Sequence, residues 1–72
     1  MARFRLFATL SDGASGRCQI FCDGHQHFLF ERKRDEFLVE RFRSSDPNRF
    51  HHYVHDLCAQ GWSFAWARNE GG

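Results

Sequence analysis

The stretch DPNRFHHYVHDLCAQGWSFAW, residues 46–66, decides the fold. Asp46 suits a helix N-cap, because its carboxylate can accept orphan backbone N–H groups, and Pro47 suits the first helical position, where no N–H is needed. Apolar residues then fall at Phe50, Tyr53, Val54, Leu57 and Cys58, the spacing of a one-sided helix. Gly61 follows as a left-handed stop. Trp62, Phe64 and Trp66 alternate with Ser63, Ala65 and Ala67, which predicts a strand with one bulky face and one small face. The main helix is therefore expected over about 47–60 and a final strand over 62–68.

Working outward, the residues before this stretch read as strands that need such a helix to cover them. In residues 3–10, Phe4, Leu6, Ala8 and Leu10 fall on one face of a strand, and Arg3, Arg5, Phe7 and Thr9 on the other. The run SDGASG, residues 11–16, is a turn. Residues 17–22 form a second strand. Asp23-Gly24 signals a two-residue hairpin turn, because both central positions of a type I′ turn need positive φ. On that register Cys22 stands opposite His25 and Ile20 opposite His27, with the third strand over about 25–33. Residues 34–43 read as a turn at Arg34-Asp35 and a fourth strand over 36–42, with a helix as the alternative. Residues 69–72 read as a frayed tail. The order predicts one α+β domain over residues 1–72. It is a two-layer sandwich of a three- to five-stranded antiparallel sheet and one helix, with the last strand beside the first.

The helix-to-strand junction LCAQGWSFAW, with Leu57, Gln60, Gly61 and Trp62, resembles a signature of small uncharacterised bacterial domains that end their helix in a Gly-Trp pair. The opening Phe4-Arg5-Leu6-Phe7 is similar to the first strand of that family. The chain departs from the pattern at Cys58-Ala59, where a glycine is usual, and at Ser63, where a glutamate is usual. The resemblance implies a ββαβ-like fold and no established activity.

Composition narrows the function. The chain is 72 residues long with a net charge of +1, so no strong field calls for nucleic acid or mimics it. Three cysteines and no apolar leader argue for a reducing, cytoplasmic setting. No run approaches membrane-spanning length. Cys22, His25, His27, His51, His55 and Cys58 are the candidate ligands for a zinc-stabilised domain, but their spacing matches no zinc motif, and no cofactor is expected. Cys58 follows His55 by three residues, yet its place on the apolar helix face disfavours a nucleophilic thiolate, so no enzyme is expected.

Two binding readings remain. Phe21, Phe28 and Phe30, placed on one sheet face by the expected hairpin, could stack single-stranded nucleic acid, with Arg32 and Arg34 on the phosphates. The alternative rests on nine Phe, two Trp and one Tyr, more aromatic surface than so small a core hides. It predicts a small protein-binding module of the phage or mobile-element inhibitor (anti-CRISPR-like) kind, acting by occluding a larger host complex, and also a homodimer. Its candidate partner-binding residues are Arg32, Arg34, Glu36, Glu40, Arg41 and Arg43, around an edge strand open to pairing.

Overall fold

A computed structural model describes residues 3–68. The chain is an α+β fold in which one helix lies over one face of a five-stranded antiparallel sheet. The strands are β1 (Arg5–Ser11), β2 (Gly16–Cys22), β3 (Phe28–Arg34), β4 (Phe37–Ser44) and β5 (Ser63–Ala67), and α1 spans Pro47–Ala59. Their order across the sheet is β4-β3-β2-β1-β5. Residues 34–43 are thus strand and turn, and the last strand lies beside the first, as the sequence predicts. The tail expected over residues 69–72 lies outside the described residues.

The helix begins and ends where its residues dictate. Asp46 accepts the Asn48 N–H at 2.9 Å. At the other end Gly61 takes φ +99°, the Gly61 N–H donates to Cys58 O at 3.1 Å, and the Trp62 N–H donates to Leu57 O at 3.0 Å. This pair of reversed bonds satisfies the last carbonyls and turns the chain back into the sheet. Leu57 and Trp62 enter one buried cluster with Leu10, Cys18, Ile20 and Phe30. Phe30 lies stacked on Phe42 with ring centroids 4.5 Å apart, and the Tyr53 ring meets both edge-on. Phe7, Phe28 and Phe50 extend the same aromatic layer. Most of the aromatic excess therefore lies under the helix. Cys58, by contrast, is exposed. The helix seats Phe50, Tyr53 and Leu57 on the sheet, and Cys58 sits one position round from that line, so it is no member of the buried face.

Three further expectations are corrected by sheet geometry. The Asp23-Gly24 hairpin is a five-residue loop, not a two-residue turn, because Asp23 captures the N–H groups of His25 and His27 and Gln26 takes φ +67°. Cys22 consequently pairs with Phe28 and Ile20 with Phe30. In β1 a register shift at Phe7 puts Ala8 and Leu10 on the helix side and Leu6 beside Phe21 on the open side, while Phe7 turns under the helix against Phe28 and Phe50. In β5 a second shift leaves Ala65 as an extra residue, so Phe64 pairs with Leu10 on the helix side and Trp66 with Thr9 on the open side. Such bulges add one residue to one strand and break the alternation.

One glycine holds the sheet end together. A Cβ on Gly16 would stand 2.4 Å from Asp12 Oδ2, the atom that accepts from Arg34 Nη2 at 2.9 Å. Gly16→Ala is expected to displace that pair and to cost about 1–3 kcal/mol, the usual range for overpacking. Urea unfolding followed by circular dichroism measures it, and an unchanged midpoint would show that the Asp12 loop moves freely.

Candidate interaction surface on the outer strands

The outer strands carry the exposed apolar residues. On β4, Phe37 is 77% exposed, Leu38 49% and Val39 53%; on β5, Phe64 is 50% and Trp66 46% exposed. The β4 group sits at the tip of the β3–β4 hairpin. Lys33 pairs with Leu38 and Arg32 with Glu40, so Val39 is the extra residue of a bulge. Phe37 pairs with Arg34, which places it on the helix side, and Leu38 stands on the open side. Both faces of the tip are therefore apolar.

The turn that presents this tip is strained and braced. Asp35 takes φ +52° and Glu36 φ +70°, a conformation that side-chain-bearing residues adopt only when their surroundings impose it. Three contacts impose it here. The Glu36 carboxylate accepts two bonds from Arg17 Nη2, at 2.9 and 3.2 Å. Arg34 bridges Asp12 and Ser15, and the Asp35 N–H donates to Ser15 O at 3.3 Å. The β1–β2 loop thus clamps the β3–β4 turn.

The six charged candidates from the sequence all lie on or beside this hairpin, and each has an internal companion. Arg34 holds Asp12 and Glu36 holds Arg17. Arg41 Nε donates to Glu31 at 2.7 Å across the open face. Arg32 lies 3.5 Å from Glu40, which also accepts the Tyr53 hydroxyl at 3.0 Å. The Arg43 guanidinium lies 5.3 Å from the centre of the Phe4 ring. These charges form a paired rim, and Phe37, Leu38 and Val39 form its apolar centre. Sequence reasoning took this strand as an edge but missed that centre, because regular alternation implies one covered face, and the bulge at Val39 and the exposure of Phe37 on the helix side break that rule.

The expected stacking platform is not assembled. Phe28 and Phe30 share the helix side with Cys18 and Cys22, and only Phe21 of the three faces the open side. The three-residue change of register moves every β3 side chain to the other face. Arg32 turns with them, toward Glu40 and the helix. The open face itself carries mixed polar and charged residues, with Glu31 between Arg41 and Gln19 and Lys33 beside Arg17.

The candidate metal ligands are likewise separated. His51, His52 and His55 line a shallow depression on the outer face of α1. His27 is tied to Asp23 in the distant β2–β3 loop, with Nδ1 2.8 Å from Oδ2, and Cys22 Sγ accepts the Gly24 N–H at 3.4 Å. Among the described residues no group of three His, Cys, Asp or Glu side chains is placed to hold a metal ion. The buried Cys18 thiol is pushed up to about 11 by burial, so it stays protonated at neutral pH.

Asp12 and Asp23 are expected to make the fold acid-sensitive. The Ala14 N–H is the largest influence on Asp12; with Arg34 and the Gly16 N–H it outweighs burial and holds the carboxyl below the ordinary 3.8. At Asp23 burial pushes upward, but the His25 N–H and both groups of His27 together prevail and the carboxyl again lies below 3.8. Both carboxyls release their protons more readily folded than unfolded. Their stabilisation is therefore complete above the unfolded value and is lost as pH falls through the folded one. Urea midpoints are expected to drop below about pH 4, and Asp23→Asn to flatten that limb. An acid limb identical in Asp12→Asn, Asp23→Asn and the parent would assign it to other groups.

No helix among the described residues is long and apolar enough to cross a membrane. No family model, no curated protein and no solved structure matches this chain.

Proposed function

We propose that this protein is a non-enzymatic protein-binding module that works by occlusion, seating the β3–β4 hairpin tip in an apolar cleft of a larger partner. The observation that carries this reading is the contiguous exposure of Phe37, Leu38 and Val39 on a braced, strained turn. An apolar centre within a polar rim is the anatomy of a binding surface, and a rigid turn lowers the entropy lost on docking. Inhibition of a host complex by steric blocking needs no more than this. The paired Arg and Glu residues set orientation at the rim, where each contributes little alone.

The test is affinity capture on the immobilised protein after nuclease treatment, repeated with Phe37→Asp and Val39→Lys. A stoichiometric protein partner is expected to bind the parent and to weaken by at least about 2 kcal/mol, roughly thirty-fold, with Phe37→Asp. Arg41→Thr, on the rim, is expected to shift affinity much less. A partner that binds Phe37→Asp and the parent equally would sink this reading. Recovered material that disappears on nuclease treatment would replace it with the nucleic-acid one.

A further inference from the structure

We infer that a cleft at one end of the sheet binds a small organic carboxylate with a flat apolar body, the carboxylate meeting Arg43 and the body resting against Phe4 and Phe28. The cleft lies at the end away from the β3–β4 turn, so this site is independent of the hairpin tip and of any partner seated there.

Topology builds the cleft. The lead into β1, the β2–β3 loop and the passage from β4 into α1 all come to this end of the sheet. They enclose about 400 Å³, and small-molecule sites hold roughly 300–1,000 Å³. Phe4 and Phe28 are its apolar walls, and His27, Arg43, Ser44 and Ser45 supply the polar ones. Phe28 pairs with Ser44 and Leu29 with Arg43, so β3 and β4 bring Phe28, Arg43 and Ser44 together. Two of these walls are fixed before any ligand arrives. Phe28 is held by Phe7 and Phe50, with ring centroids 6.0 and 4.7 Å away. The His27 ring is tied through Nδ1 to Asp23 at 2.8 Å. Walls already in place lower the entropy lost on binding.

Charge names the ligand. Arg32, Arg34, Glu36, Glu40 and Arg41 each meet a group of opposite charge, and Arg43 alone of the six hairpin charges meets no carboxylate among the described residues. Its guanidinium rests over the Phe4 ring instead, 5.3 Å from the centre. Contact with a ring face uses the positive charge and leaves free the N–H fork, which matches a carboxylate in two parallel bonds. Asp23, the acid of the cleft, does not serve as that carboxylate. Its side chain is 2% exposed, Oδ1 accepts the His25 and His27 N–H groups, and Oδ2 faces His27 Nδ1. Ser44 Oγ accepts the Asp46 N–H at 3.1 Å and keeps its own proton to donate.

One negative charge is what fits. Arg43 is a single cation, and Asp23 is a fixed anion nearby. The helix N-terminus adds no donor, since Asp46 takes the Asn48, Arg49 and Phe50 N–H groups. A dianion such as a phosphate monoester would face Asp23 with one guanidinium to hold it, and like charges set together are unfavourable. A neutral ligand would leave the guanidinium without its partner.

Proton–nitrogen correlation spectra of the full chain, titrated with four probes, test this. Benzoate carries both features, acetate lacks the ring, benzamide lacks the charge, and phenyl phosphate doubles it. Benzoate is expected to give saturable shifts at Phe4, His27, Phe28, Arg43 and Ser44, in the millimolar range of so small a ligand. Acetate, benzamide and phenyl phosphate are each expected to bind at least about ten-fold more weakly. This series on the parent needs no variant. Arg43→Gln is expected to lose about ten-fold or more in benzoate affinity, and Arg43→Lys less, with the remaining peaks in place. Phe37→Asp, at the other end of the sheet, is expected to bind benzoate as the parent does. Shifts that do not saturate or that lie away from the cleft would overturn the inference. So would any of the other three probes matching benzoate, unchanged affinity in Arg43→Gln, or loss of binding in Phe37→Asp.

Discussion

Phe30→Ala is expected to leave the chain largely unfolded at room temperature. Phe30 is 1% exposed and meets four rings, those of Phe28, Phe42, Phe50 and Tyr53. It lies at the centre of β3, between Ile20 on one side and Phe42 on the other, with the helix above. Truncating a buried Phe to Ala costs about 3–5 kcal/mol, the lost transfer energy plus the cavity left behind. A domain of this size holds about 3–5 kcal/mol in all. The cavity cannot close easily, because the rings around it are fixed by each other. Phe30→Leu keeps most of the volume and is expected to fold with a lowered urea midpoint. Circular dichroism and one-dimensional proton spectra distinguish the outcomes; a native, dispersed spectrum for Phe30→Ala would mean that the aromatic layer repacks.

The helix was legible because each of its signals is local. Asp46, Pro47, the apolar spacing and Gly61 act on their own neighbours, and the observed cap, span and reversal follow from them. The strand order was legible for a similar reason, since turn residues and chain direction leave few ways to close the sheet. Register was not. Asp23-Gly24 carries the composition of a tight turn, but the Asp23 carboxylate can reach two backbone N–H groups further on, and that reach sets a longer loop. The bulges at Phe7, Val39 and Ala65 depend on what each strand pairs with, and pairing partners lie far away in sequence.

These register effects explain why the candidate site moved. The Arg and Glu residues of the hairpin were visible as charges, but not as pairs, because Arg17–Glu36 and Asp12–Arg34 join positions 19 and 22 residues apart. Once those charges satisfy one another, the unpaired character of the tip belongs to Phe37, Leu38 and Val39. In the sequence these three look like any strand interior. Their exposure follows in part from topology: β4 is an outermost strand of the sheet, and even Phe37, on the helix side, is left uncovered. The aromatic excess was read correctly as a quantity but not as a location. Most of it fills the layer beneath α1; the strongly exposed rings that remain, Phe37, Phe64 and Trp66, lie on the two outer strands.

Trp62→Ala is expected to cost about 3–5 kcal/mol and, like Phe30→Ala, to take most of the stability of the domain. The two aromatic residues of the junction make a sharp comparison, because Trp62 is 7% exposed and Trp66 46%. Trp62 closes the helix as well as filling the core. Its N–H caps Leu57 O, and its ring joins the Leu57 side chain in the buried cluster, the apolar contact that accompanies this type of helix end. Alanine retains the backbone bond and loses the ring, so the helix end and the entry to β5 loosen together. Trp66→Ala removes a half-exposed ring from the sheet edge and is expected to lower stability by less than about 1 kcal/mol. Urea titrations of the two variants give the ordering directly. Equal losses for the two would mean that the ring of Trp62 is not what holds the helix on the sheet, and the core would have to be redrawn around Leu57 and Phe30.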